Sequence, residues 1–324
     1  MHEATDSEPL PASPPPIVTV RGLVKHYGET QALRGVSFDV PRGDIFGFIG
    51  PNGAGKTTTL RILATLLEPT AGQVFIDGLC VENDTDEVRR VIGYMPDHFG
   101  VYDGITVEEY MEFFAAAYRI LPPTRGVVVK DVMALTDLTP LKDRTVSALS
   151  KGMRQRLCLA KTLVHDPKVL ILDEPASFLD PRARIEMREL FKELSRMGKT
   201  IIISSHILTE LSDICTSVAI VEKGELVECG KVEILERKRW RADNVKIVLH
   251  EPRPEVEGLL ARCPSVAAVR CDKNQITFEY GGAPGEFHKV LKVLTDREIP
   301  VVSVEHESKD LEDLFMELTR GDLQ

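Results

Sequence analysis

The stretch Gly50-Pro51-Asn52-Gly53-Ala54-Gly55-Lys56-Thr57-Thr58 fits the pattern G-x-x-x-x-G-K-[ST], a loop that cradles phosphate. Its flanks supply the context such a loop needs. Asp44-Ile45-Phe46-Gly47-Phe48-Ile49 before it reads as a short buried strand. Thr59 to Leu67 after it reads as a helix with Leu60, Leu63, Ala64 and Leu67 on one face. Glycines let successive backbone N–H groups curl around an anion with no Cβ in the way, and the following helix points its positive end at the same anion. Lys56 has the reach for the β- and γ-phosphates, and the Thr57 hydroxyl is of the type that ligates Mg2+. A chance glycine turn explains neither the full motif nor its flanks, so the stretch implies a nucleoside triphosphate site. The loop alone does not say what binding drives.

Composition narrows the classes. At 324 residues the chain has room for about two domains, and its 43% hydrophobic content is that of an ordinary globular protein. A net charge of -10 argues against broad electrostatic binding to nucleic acid, and none is expected. The six cysteines form no C-x-x-C pair and no zinc-type cluster with histidine, so free thiols are expected. No apolar run approaches the ~20 residues that span a bilayer. If the protein works at a membrane, another chain must supply the spanning part.

Taken in order, residues 1–16 are polar and proline-rich and read as a disordered tail, not a signal peptide. Ile17 to Val24 and Leu33 to Val40 read as strands. Tyr27 between them is either a rim residue or an aromatic able to stack on a base. Gln73 to Gly78 and Val91 to Asp97 read as further strands. Thr106 and Glu109 have capping-box spacing, and Tyr110, Phe113, Phe114 and Ala117 then share a face expected in the core. Pro122-Pro123 is expected to end that helix, with another from about Val127 to Leu138. Leu149-Ser150-Lys151-Gly152-Met153 opens the next helix, where Ser150 suits an N-cap. The apolar run Val169-Leu170-Ile171-Leu172 ends in Asp173-Glu174. Two carboxylates at the tip of a buried strand are costly unless they hold a cation or polarise water. With a phosphate loop upstream, Asp173 is assigned to Mg2+ and Glu174 to the attacking water. Ile185 to Met197 reads as an amphipathic helix, Thr200 to Ser204 as a β-branched strand before Ser205-His206, and Ser217 to Cys229 as a hairpin around Lys223-Gly224.

The basic run Glu236 to Arg241 reads most simply as an exposed linker, with a contact to anionic lipid or a partner as the sharper alternative. After it the pattern restarts in the order β-α-β-β-α-β plus a final helix carrying Leu311, Leu314, Phe315 and Leu318, which suggests a small ferredoxin-like domain.

With these pieces in this order, the sequence resembles the nucleotide-binding subunit of ATP-binding cassette (ABC) transporters over roughly Ile17 to Glu236. Leu149 to Met153 is similar to the family's L-S-G-G-Q signature, Ser177-Phe178-Leu179-Asp180 looks like its D-loop, and His206 stands at its switch histidine. The resemblance implies an α/β P-loop NTPase fold: an ABC-type ATPase domain over 17–236 with a helical subdomain at about 98–165. A basic linker over 237–243 and an accessory α+β domain over 244–324 would follow. It implies ATP and Mg2+ as ligands and a head-to-tail dimer with a second copy. ATP would lie between Gly50 to Thr58 of one copy and the Ser150/Gly152 loop of the other. Tyr27 would stack on adenine, Glu174 would act as general base or polarise water, and His206 would stand near the γ-phosphate. It further implies an integral membrane permease as a separate partner and a place on the cytoplasmic face of the membrane. The C-terminal domain looks like the tail of exporter-type ATPases. Three departures stand out: Asp97 for the Q-loop glutamine, Lys151 and Met153 within the signature, and Phe178 for the D-loop glycine. A soluble ABC-type ATPase without a permease is the alternative. An unrelated P-loop kinase leaves the signature loop unexplained.

Overall fold

A computed structural model describes residues 14–98, 100, 102, 104–177, 179–206, 211, 214–239 and 243–307. The expectations for Phe178, for most of the N-terminal tail and for the helix around Leu311 to Leu318 lie outside the described residues. Contacts divide the chain into two compact units, Met1–Gly230 and Lys231–Gln324.

The larger unit begins with β1 (Val18–Tyr27), β2 (Thr30–Val40), β3 (Ile45–Ile49), α1 (Lys56–Leu63), β4 (Ala71–Ile76), β5 (Leu79–Cys80), α2 (Thr85–Val91) and β6 (Ile92–Met95). It continues through α3 (Val107–Ala117), α4 (Pro122–Leu135), α5 (Lys151–Leu163), β7 (Val169–Asp173), α6 (Pro181–Arg196), β8 (Thr200–Ser205), β9 (Ser217–Glu222) and β10 (Glu225–Lys231). One sheet has the order β2-β1-β4-β5 and is antiparallel throughout. The other has the order β10-β9-β3-β8-β7-β6, with β9, β3, β8, β7 and β6 parallel. β3, β7 and β8 are buried at every residue, as expected of parallel strands covered on both faces. β9 and β10 are joined by Lys223-Gly224, both at positive φ, which is the backbone of a type I′ hairpin turn. Phe38 of the antiparallel sheet stacks on Phe46 of the parallel one, with ring centroids 5.5 Å apart, so the two sheets share a core.

The register of the parallel strands matters most for the site. Ile49 pairs with Ser205 and Asp173 pairs with Ser204, so the carboxyl ends of β3, β7 and β8 lie side by side. The phosphate loop, Asp173-Glu174 and His206 each follow one of these ends, where the crevice of an open α/β sheet forms.

α3, α4 and α5 enclose a separate core of Val107, Tyr110, Met111, Ala115, Val129, Met133, Leu157 and their neighbours. Thr106 and Glu109 form the capping box: the Glu109 N–H donates to Thr106 Oγ1 at 3.2 Å and the Thr106 N–H to Glu109 Oε2 at 2.7 Å. Two expectations for this region change. The inward face of α3 is Val107, Tyr110, Met111 and Ala115, while Phe113 is 52% exposed and Ala117 is exposed too. Phe113 instead packs edge-on against Phe114 and Tyr102, an aromatic cluster at the surface. Pro122-Pro123 opens α4 and does not close α3, because proline's fixed φ and missing N–H suit a first helical turn. Helix α1 also differs: it starts at Lys56, inside the motif, and stops at Leu63, since Thr65 adopts a left-handed φ of 60°.

His165 follows α5 and stacks on Tyr118, with centroids 4.0 Å apart. Its Nε2–H donates to the Ile92 carbonyl at 2.7 Å, and its buried Nδ1 has no hydrogen-bond partner among the described residues. Burial lowers its pKa, only partly offset by the Ile92 bond and Asp166, because a proton added at Nδ1 would meet no acceptor. Since the folded-state pKa lies below the unfolded one, this stabilisation is present above the ordinary histidine value of about 6.5 and is lost as the pH falls through the folded pKa. The expected result is a His165 NMR titration below that value, and a melting temperature that drops less on acidification in His165→Gln than in wild type. A titration at or above the ordinary value would overturn this.

The smaller unit contains α7 (Val232–Arg239), β11 (Asp243–Leu249), α8 (Glu255–Leu260), β12 (Val266–Asp272), β13 (Gln275–Tyr280), α9 (His288–Thr295) and β14 (Val301–Glu307). Its sheet has the order β12-β13-β11-β14, antiparallel throughout, which is the split β-α-β arrangement of a ferredoxin-like domain. Val245, Ile247, Ile276 and Phe278 alternate onto the face covered by Val256 and Leu260 of α8 and Val290 and Leu294 of α9. The stretch expected as a linker from residue 237 differs: α7 runs to Arg239 and β11 begins at Asp243.

Candidate functional site

The phosphate loop is built by steric necessity at two glycines. A Cβ on Gly50 would stand 2.3 Å from the Val221 carbonyl oxygen, and one on Gly55 would stand 2.6 Å from Leu33 Cδ2 and 2.9 Å from the Ala32 carbonyl oxygen. Gly55 caps α1 with a left-handed φ of 101°, which bends the chain from the loop directly into the helix. The Ala54 N–H closes the turn by donating to the Pro51 carbonyl at 3.2 Å.

Lys56, in the first turn of α1, is 6% exposed. Its Nζ donates to the Gly50 carbonyl at 2.7 Å and the Pro51 carbonyl at 3.3 Å, and lies 3.6 Å from Glu174 Oε1. Burial lowers the Lys56 pKa, and Glu174 and then Asp173 oppose that shift. The two carboxylates at the tip of β7 differ in surroundings. Asp173 is 1% exposed, and its Oδ1 accepts from the Ser204 hydroxyl at 2.6 Å and the Thr57 hydroxyl at 3.2 Å. Burial raises its pKa against those hydrogen bonds. Glu174 turns outward with a left-handed φ of 51°. Its Oε2 accepts from Ser177 Oγ at 2.7 Å and from His206 Nδ1 at 2.9 Å, which leaves His206 Nε2 as a lone-pair nitrogen when the ring is neutral.

A cavity of about 390 Å³ is lined by Asn52, Gly53, Gly55, Lys56, Thr57, Thr58, Ala32, Asp97, His98, Glu174, Ser177 and His206. The structure thus brings the phosphate loop, Glu174, His206 and Asp97 to one cavity. Asp97 is bound to His98 through Oδ2 and Nδ1 at 2.8 Å. The donor set fits a hard divalent cation: Thr57 and Asp173 offer a hydroxyl and a carboxylate 3.2 Å apart, and Oδ1 of that buried carboxylate accepts from the hydroxyls of Thr57 and Ser204.

Other expected residues stand elsewhere. Tyr27 ends β1, is 47% exposed, and carries Lys25 Nζ over its ring at 5.5 Å. Ser150 is exposed and caps α5, accepting the Met153 N–H at 3.3 Å. Leu149 is buried, Met153 packs on the helical core, and Lys151 is exposed. Gly152 has only ordinary contacts where a Cβ would stand, so nothing inside its own chain demands a glycine there. Asp180 caps α6, accepting the Arg182 and Ala183 N–H groups, each at 3.1 Å.

Sequence reasoning passed over four side chains: Ser204, Ser177 as a partner of Glu174, His98, and Gln155, whose buried amide donates to the Pro175 carbonyl at 2.8 Å. Ser204 and Ser177 stand two residues before His206 and three after Glu174, and that proximity was the available signal.

Residues 33–177 match the family model described as ABC transporter. The chain is 33% identical over 310 residues to the Nod factor export ATP-binding protein I of Ralstonia nicotianae, covering 95% of each. It is 36% identical over 206 residues to the ABC transporter ATP-binding protein NatA of Bacillus subtilis, covering 63% of this chain and 84% of that one. Among solved structures, CbiO1 of Clostridium perfringens, part of the transporter complex CbiONQ, superposes with a TM-score of 0.64 at 29% identity over 69% of this chain and 92% of that one. An ATP-binding cassette solved as a dimer with ADP and phosphate does so with a TM-score of 0.60 at 26% identity, over 66% of this chain and 98% of that one. Fold, phosphate loop and likeness along nearly the whole chain agree: this protein belongs to the ABC transporter family, as an ATP-binding subunit on the ABC ATPase fold.

Proposed function

We propose that this chain hydrolyses ATP to drive export through a separate membrane permease, working as a head-to-tail dimer on the cytoplasmic face of the membrane. The observation that carries the ATPase reading is the convergence of Lys56, Thr57, Asp173, Glu174 and His206 at adjacent parallel strand ends. Likeness to an export ATP-binding protein over 95% of the chain supports the coupling to export. Among the described residues no helix is long and apolar enough to cross a membrane, and in this reading a separate permease supplies the path for the transported substance.

In this reading the loop N–H groups and Lys56 bind the β- and γ-phosphates. Thr57 and Asp173 would hold Mg2+, which would supply charge neutralisation at the phosphates. Glu174 takes a proton from the attacking water, with Ser177 and His206 fixing one carboxylate oxygen and leaving the other toward Lys56. Tyr27 stacks on the adenine ring. Ser150 and Gly152 do not line the cavity of their own chain, yet Ser150 is exposed at the positive end of α5. That end suits the γ-phosphate of a second copy's nucleotide. Contacts to that phosphate exist only when the dimer is closed, so hydrolysis reopens it. The groove of about 830 Å³ lined by Asp86, Arg89, Arg90, Tyr118, His165 and Asp166 among others carries both charges, with Arg89 paired to Asp86, and is a surface on which a permease would dock.

The test is an affinity pull-down of the chain from detergent-solubilised native membranes. Stoichiometric recovery of a polytopic membrane protein is the expected result. Recovery of soluble partners alone would move the assignment to an ATPase without a permease.

Asp97 adds negative charge beside the triphosphate, where the family has an uncharged amide. Asp97→Gln is expected to stay folded and active, because a glutamine carbonyl can accept from His98 as Asp97 does. Complete loss of hydrolysis would show that the carboxylate has a chemical role of its own.

A further inference from the structure

We infer that Ser204 is a positioning residue: its single buried hydroxyl sets Asp173 and Glu174 relative to one another at the tip of β7. The hydroxyl donates to Asp173 Oδ1 at 2.6 Å and accepts the Glu174 N–H at 2.9 Å. One atom thereby binds the side chain of one carboxylate residue and the backbone of the next, and Ser204 itself is fully buried. The inference rests on the roles proposed above for Asp173 and Glu174 and adds how their geometry is maintained.

The backbone explains why a side chain is needed there. β7 and β8 run in register through Asp173↔Ser204, and the ladder stops at that pair. The chain then turns into the left-handed region at Glu174, a conformation that is strained for a non-glycine residue and persists only when its surroundings enforce it. The turn takes the Glu174 N–H out of the strand ladder, and an N–H that is partly withdrawn from water needs a partner. Ser204 Oγ is that partner. The same oxygen donates to Asp173, so the rotation of that carboxylate and the turn of Glu174 are fixed together. Downstream, the Gln155 amide holds the Pro175 carbonyl and Ser177 holds Glu174 Oε2, so the segment is tied on both sides of the turn. Ser204 also stands two residues before His206, and β8 thus delivers the brace and the histidine bound to Glu174 together.

A displaced reacting group costs rate far more than affinity when phosphate binding is left intact. Ser204→Ala removes both hydrogen bonds, and Ser204→Cys keeps the shape with a much weaker donor and acceptor. In the full-length protein both variants are expected to lower the ATPase kcat by roughly 10- to 100-fold with little change in KM. ATP affinity measured by calorimetry in EDTA should remain at the wild-type value, since the loop and Lys56 are untouched. Glu174→Gln combined with Ser204→Ala should lose less than the product of the two single losses, because part of what Ser204 does is exerted through Glu174. A wild-type kcat in Ser204→Ala would overturn the inference. So would full activity in Ser204→Cys, which would make shape the requirement, or additive losses in the double variant. Failure of the underlying reading is separately visible: Glu174→Gln alone would then turn over ATP like wild type.

Discussion

Glu174→Gln is expected to lower the ATPase kcat by on the order of 10²–10⁴-fold, the span that a positioned general base supplies, while ATP still binds. The choice of Glu174 over its neighbour follows from surroundings. Asp173 is buried with Oδ1 engaged by Ser204 and Thr57, whereas Glu174 faces the cavity beside His206 and Lys56. An amide of the same shape still accepts from Ser177 and His206 through its carbonyl oxygen, so the loop keeps its form. It cannot take a proton from water. It also removes a negative charge from the triphosphate site, so affinity should hold or rise, and unhydrolysed ATP should keep two copies together. Phosphate-release kinetics, calorimetry and size-exclusion chromatography with ATP check the three parts. Turnover near wild type would remove Glu174 from the proposed role.

What could be read from the sequence followed how locally each feature is encoded. β3 and β7 were legible because strands buried on both faces leave unbroken apolar runs. The phosphate loop and Asp173-Glu174 were legible because the residues that act together are adjacent in the chain. The inward face of α3 was legible only in part: Tyr110 and Phe114 do pack on the helical core, but Phe113 stays exposed against Phe114 and Tyr102 while smaller Ala115 faces the core. Ser204 and Gln155 were missed for a different reason. Each is a common residue type, and its importance comes from a hydrogen bond to a segment far away in sequence: Asp173 and Glu174 for one, Pro175 for the other. Phosphate-site geometry is written in a motif, and its supports are written in the register of two parallel strands.

Lys56→Ala is expected to weaken ATP binding roughly tenfold to a hundredfold, because a hydrogen bond to a charged group contributes about 1.5–3 kcal/mol. The size of the effect depends on what Lys56 does besides meeting phosphate. Its Nζ is held by the Gly50 and Pro51 carbonyls, so the ammonium is already fixed within the loop that would receive the anion, and little side-chain freedom is lost on binding. Alanine therefore removes a prepositioned charge and leaves the loop carbonyls without their donor. It also leaves Glu174 without its nearby cation, beside Asp173, in the same crevice that must accept a triphosphate. Both effects act against the bound anion, so the loss should lie in affinity first and in kcat second. Arginine should not rescue it. The guanidinium is longer and planar, whereas the Gly50 and Pro51 carbonyls, at 2.7 and 3.3 Å, are placed to hold a compact ammonium. Calorimetry on Lys56→Ala and Lys56→Arg, with melting temperatures to show that both are folded, separates charge from fit. Unchanged affinity in the alanine variant would remove Lys56 from the phosphate site, and wild-type affinity in the arginine variant would show that charge alone suffices.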